Sequence, residues 1–99
     1  MANYRSRDLL NLAHHVHECQ HCGRTVPSGC EPAHANWSDF GKAAMLKSHD
    51  HFHAALCHEC HAELDQGPNL TRDERRTMWE RAFRKTLTLY FAKGWLKVA

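Results

Sequence analysis

LCHECHAELDQG, residues 56–67, carries two cysteines, two histidines, two glutamates and one aspartate within a single short stretch. A closed tetrahedral zinc site takes four ligands in all, commonly split between two such segments. The surplus reads as provision for two metals, one that holds the fold and one that does chemistry.

The first site follows from spacing. Cys57-His58-Glu59-Cys60 is a C-x₂-C turn, and Cys19-Gln20-His21-Cys22, followed by Gly23, is a second one. Two intervening residues let both thiolates reach one ion while amides of the tight turn bond to the sulfurs, and two such turns complete a tetrahedron. Zn²⁺ is therefore expected at Cys19, Cys22, Cys57 and Cys60. Cys30 is a rival for the place of Cys19, because Cys22 and Cys30 also bracket a Pro-Ser-Gly turn. At 99 residues the chain makes one domain whose core is marginal without a staple. Five cysteines and ten histidines favour metal over disulfides. With no apolar run long enough to span a membrane and no signal peptide at the start, a reducing cytoplasm is the expected location.

The second site is read from what remains. His61 and Asp65 lie four apart on a predicted helix, so they share a face and can chelate one ion. Upstream, Glu31-Pro32-Ala33-His34-Ala35-Asn36 sets a histidine just after a turn, where it faces that helix across a cleft. His14, His15, His17 and His21 read as surface polar groups.

Periodicity supplies the frame. A helix is predicted over Arg5–Glu18, capped by Ser6, with Leu9, Leu10, Leu12, Ala13 and Val16 on one stripe. Residues 19–32 are loop or short strand. Residues 37–49 read as irregular with a short helix around Lys42–Lys47, and His51–Leu56 as a strand. A helix from His58 ends at Gly67, a C-cap glycine before Pro68. The last helix, about 71–93, opens on a Thr71/Glu74 capping box and stops at Gly94. Its Met78, Trp79, Ala82, Phe83, Leu87, Tyr90 and Phe91 read as a core face rather than a base-stacking platform. The expectation is one helix-rich α+β domain over 1–99 with its metal-holding core at about 19–67. Residues 1–70 carry five Lys/Arg against eight Asp/Glu, and residues 71–99 carry eight against three. The basic end either faces phosphate or is a solvated helix face; charge alone leaves both open.

The order of motifs resembles an HNH, or ββα-metal, nuclease: a first C-x₂-C, a histidine ending a first strand, a long loop over 35–55, and C-x₂-C-H opening a helix. More closely, AHANWSDFGKAAMLKSHD, LCHECHAELDQG and RRTMWERAFRKTLTLYFAKGWLK resemble the YbcO-like family of small phage and prophage nucleases. The resemblance implies a zinc-stapled ββα-metal fold with flanking N- and C-terminal helices. It implies His34 as general base, Asn36 beside it in the A-H-x-N run, and His61 with Asp65 as ligands of a catalytic Mg²⁺ or another divalent ion. In the family the residue before the base is usually Asp or His. Here it is Ala33, with Glu31 as the candidate substitute, while Asp50, His51 or His53 stands near the place of the family's middle asparagine. The implied partner is DNA, whose phosphates Lys42, Lys47, Arg72, Arg75 and Arg76 would hold. The alternative is a non-catalytic zinc module that binds DNA or phage or host replication or recombination proteins.

Overall fold

In the computed structural model, residues 3–98 are described; residues 1, 2 and 99 of the expected domain lie outside them. Ser6 caps the first helix, its Oγ accepting from the Leu9 N–H at 3.2 Å. This helix, α1, covers only Arg7–Asn11 and tightens into a 3-10 turn at Leu12–His15. The longer helix expected over Arg5–Glu18 fails because the next backbone groups have other partners. Val16 C=O accepts from Cys30 N–H, His17 C=O from Val26 N–H, and Cys19 N–H donates to Arg24 C=O, all within 2.8–2.9 Å. Gly29 makes this return possible: a Cβ there would stand 2.0 Å from the His14 carbonyl oxygen.

Glu31–His34 (β1) and His53–Leu56 (β2) form a two-stranded antiparallel sheet, with Glu31 opposite Leu56 and His34 opposite His53. β2 starts two residues later than expected because Phe52 N–H closes a turn onto His49 C=O. Between the strands, a 3-10 turn at Ser38–Phe40 and a tight Ala43–Leu46 pairing replace the helix expected around Lys42–Lys47. β2 runs through Cys57 into α2, His58–Gln66. Gly67 ends α2 with φ −66°, so it is not the left-handed cap expected. A Cβ there would meet only the tip of the Glu63 side chain, which can swing aside, so neither φ nor space demands glycine.

Helix α3, Arg72–Ala92, begins with the expected capping box, Thr71 and Glu74 each bonding the other's backbone N–H. It packs against β2 through Met78, Trp79, Ala82, Thr86 and Tyr90. Leu87 and Phe91, expected in the core, are 37% and 51% exposed; the buried face turns instead through Thr86, which has work to do in the sheet. Thr86 Oγ1 accepts from the Ala55 N–H at 3.0 Å, while Ala55 C=O accepts from Gln20 N–H at 3.1 Å. Both main-chain groups of the middle of β2 are thus satisfied from outside the strand pair.

Trp79 is the centre of the larger core. It stacks on Phe83 at 4.9 Å, meets Phe40 edge-on at 5.0 Å, and donates its indole N–H to Ala33 C=O at 2.9 Å. Ala33, Ala35 and Ala54 are fully buried in the same cluster and leave room for the rings. A second cluster joins Ala13, Val16, Cys30, Ala55 and Tyr90. The chain is therefore a small α+β fold with one two-stranded sheet and three α-helices among the described residues. No helix of these residues is long and apolar enough to cross a membrane.

Candidate metal centre

The two C-x₂-C turns meet at the N-terminus of α2. Cys19, Cys22, Cys57 and Cys60 each present a sulfur, and all four sulfurs lie within 4.8 Å of one another. The first turn is closed by Gly23 N–H on Cys19 C=O at 3.0 Å. The second is closed by Cys60 N–H on Cys57 Sγ at 3.4 Å. Burial opposes ionisation of Cys19, but backbone hydrogen bonds from Cys57, Cys22 and His21 outweigh it and lower the thiol to about 7. Burial pushes Cys57 and Cys60 upward, reinforced by the crowded neighbouring sulfurs. Four thiolates at such range require a cation, and an all-sulfur tetrad suits Zn²⁺ in a closed, structural site. Cys30 stands apart: its Sγ donates to Glu18 C=O at 3.5 Å, and burial pushes its thiol up to about 12. Cys19, not Cys30, is the fourth member.

One residue beyond Cys60, a polar cluster begins. His61 Nδ1 lies 2.8 Å from Glu31 Oε1, and His61 Nε2 lies 3.2 Å from Asp65 Oδ2. Glu31 Oε2 also reaches His58 Nδ1 at 3.0 Å, and Asn36 donates to Asp65 Oδ1 at 2.9 Å. The Asp65 hydrogen bond raises the His61 pKa, against burial and with help from Glu31. Burial works to raise the Asp65 and Glu31 carboxyls, yet their histidine partners hold both below their ordinary values. The cluster is a chain of hydrogen bonds around an imidazole, and the strand pairing builds it: β1 carries Glu31 to the start of α2, opposite Leu56.

His34, at the end of β1, bonds through Nε2 to Asp50 Oδ1 at 2.8 Å. Asp50 is 4% exposed. Its carboxylate also takes Arg5 Nη1 at 3.2 Å and Ser6 N–H at 2.7 Å. Burial raises this carboxyl, but His34, Ser6 and Arg5 together hold it low. Of Asp50, His51 and His53, Asp50 is the one whose side chain hydrogen-bonds the His34 ring. His53 is buried and bonds Asp50 C=O at 2.7 Å and Tyr90 Oη at 2.8 Å; His51 stacks on His49. Sequence reading missed Arg5, which lies 45 positions from Asp50 and carries no local signal of that contact. It also fastens the loop through Ser48 C=O and Lys47 C=O.

The basic residues divide. Asn36, Asp65, Lys42, Arg72 and Arg75 share a groove of about 460 Å³. Arg75, however, donates to the carbonyls of Glu63, Leu64 and Gly67 and caps the end of α2. Arg76 pairs with Asp39 and Glu80 and lies over the Trp37 and Phe40 rings. Both guanidiniums expected from sequence to hold phosphate thus have partners within the chain. Lys47 is exposed and away from the groove lining. Neither this groove nor a larger one, about 1000 Å³ between the first cysteine turn and α3, is lined by His34 or His61, so volume does not locate the chemistry. His14, His15, His17 and His21 are exposed, as expected. Comparison with family models, curated proteins and solved structures yields no match to this chain.

Proposed function

We propose that the chain is a zinc-stapled, metal-dependent DNA endonuclease of the ββα-metal (HNH) kind, of phage or prophage origin and acting in the bacterial cytoplasm. One observation carries the reading: in a β1–loop–β2–α2 unit, a carboxylate-oriented histidine ends β1 and a histidine–aspartate pair spaced i,i+4 begins at the residue after the last cysteine of the tetrad.

Phosphodiester hydrolysis needs an activated water, neutralised phosphoryl oxygens and help for the leaving oxygen. Asp50 occupies Nε2 of His34, so Nδ1 is the nitrogen that takes the proton from water. His61 and Asp65 hold the divalent ion, with Asn36 fixing the second oxygen of Asp65. Such an ion, when bound, supplies charge neutralisation at the scissile phosphate and the leaving 3′-oxygen. Lys42 and Arg72 line the groove beside Asp65 and hold flanking phosphates without reading bases. The test is nicking of supercoiled plasmid by purified protein with Mg²⁺, Mn²⁺ or Ni²⁺, beside His34→Ala. Equal cutting by both proteins rejects His34 as base, and absence of cutting with every ion rejects the enzyme.

A second reading, a non-catalytic zinc module for DNA or for replication or recombination proteins, draws on a specific observation too. Ala33 is buried under Trp79 where nucleases of this kind usually carry Asp or His, and every carboxylate of the cluster already has a histidine partner.

A further inference from the structure

His61 has a carboxylate on each ring nitrogen, Glu31 on Nδ1 and Asp65 on Nε2. An imidazole ligates through one nitrogen, and the other then carries a proton that needs an acceptor. The two carboxylates therefore cannot play the same part toward one ion on His61. We infer that Glu31 is a positioning residue: it accepts the Nδ1 proton of His61 and so presents Nε2, together with Asp65, to a divalent cation. The inference rests on the divalent-ion reading of this cluster and says which side of the ring the ion takes.

Two observations separate the two carboxylates; hydrogen bonding does not, since both oxygens of each are engaged, those of Glu31 by His61 and His58 and those of Asp65 by His61 and Asn36. Asp65 lies in the groove with Lys42 and Arg72, where a phosphate can approach; Glu31 is not among the residues lining it. Asp65 also shares α2 with His61 at i,i+4, the spacing for a two-ligand clamp, while Glu31 comes from β1 across the sheet-to-helix junction. The carboxylate–histidine–metal arrangement fixes both the tautomer and the direction of the ring, and losing its outer carboxylate typically weakens metal affinity about 10–100-fold. The sequence offers a reason for Glu31 being where it is. Position 33, where a carboxylate would enter the Trp79 core, is alanine, and Glu31 lies two residues earlier on the same strand.

The test uses the zinc-loaded full chain and two measurements: Mn²⁺ affinity by calorimetric titration, and the ¹⁵N ring shifts of His61 with Mg²⁺ bound. In the parent protein Nδ1 should carry the proton and Nε2 should not. Glu31→Ala should weaken Mn²⁺ binding about 10–100-fold and Glu31→Gln should recover most of it, because the amide oxygen still accepts from Nδ1–H. Asp65→Ala should remove binding. A Glu31→Ala protein that binds as tightly as the parent, or a Glu31→Gln protein as impaired as Glu31→Ala, overturns the positioning role while the divalent-ion reading survives. A proton found on Nε2 likewise reverses the assignment. A parent protein that takes up no Mn²⁺ rejects the divalent-ion reading and this inference with it. Zinc content and far-ultraviolet circular dichroism, unchanged across the variants, exclude a folding defect.

Discussion

The first turn of α2 and the turn after it are built from similar side chains, yet they stand in opposite electrostatic condition. At Cys57 and Cys60 four sulfurs crowd within 4.8 Å with no basic group among them. At His61 and Asp65 each acid faces a histidine. Four thiolates in the first arrangement repel one another unless a cation sits among them. In the second, each acid already has hydrogen-bond partners, so an ion taken up there would compete with bonds already made.

The widest gap between the regions should appear on metal loss. One Zn²⁺ per chain is expected by elemental analysis, and structural zinc sites in small domains contribute on the order of 10 kcal/mol. Cys60→Ser should therefore unfold the chain, whereas His61→Ala should leave it folded with its zinc. A well-folded, zinc-free parent protein would remove the contrast.

His34→Ala should retain zinc, fold and DNA affinity but lose about 10²–10⁴-fold in plasmid nicking, the usual share of a general base. Asp50→Asn should give a smaller loss by the same assay, since the ring keeps a hydrogen-bond partner at Nε2.

The basic residues test a third level. Arg75→Ala takes a donor from three carbonyls at the end of α2, of which Glu63 C=O keeps the Gly67 N–H, and should lower thermal stability by about 1–3 kcal/mol. Its DNA salt dependence should be unchanged. Lys42→Ala and Arg72→Ala should do the reverse, each reducing the slope of log affinity against log salt by about one. If Arg75→Ala and Arg72→Ala behave alike, the division between capping and phosphate contact is wrong.

The smallest effect concerns pH, and its sign differs between the two histidine–acid pairs' members. His61 is raised in the fold, so its stabilising share is present below its ordinary value near 6.5 and fades as pH rises through the folded value. Asp50 is lowered, so its share is present above the ordinary carboxylate range and fades as pH falls through its folded value. Thermal melts without added divalent ion should show a slight loss of stability from pH 6 to 9 that His61→Gln abolishes. Asp50→Asn should flatten part of the acid limb only.

The zinc tetrad was legible because each half is local: two residues between cysteines suffice, whatever lies between the halves. The α3 capping box was legible for the same reason. The partners of His34 and His61 are another matter. Glu31 reaches His61 over 30 positions and Arg5 reaches Asp50 over 45, through strand pairing and a loop that carry no periodic signal. The helical stripe on α3 put Leu87 and Phe91 inward because hydrophobicity was the only guide. Thr86 won that place because a hydroxyl, and not a methyl, can satisfy the Ala55 N–H. Arg75 and Arg76 read as phosphate ligands because charge is visible in sequence, while the carbonyls that take Arg75 and the distant Asp39 that takes Arg76 are not.

The Ala55 arrangement has a consequence for how the protein fails. A strand with unpaired main-chain groups on its outer side is a template for another chain. Here the outer side of β2 is covered by Thr86 and by Gln20, and Gln20 sits inside the first zinc turn. Chelation that loosens this turn uncovers the strand along with the thiols. Metal-stripped protein should then pass into β-rich self-associated material more readily than into soluble unfolded monomer, and light scattering on addition of chelator should rise before helix content has fallen far.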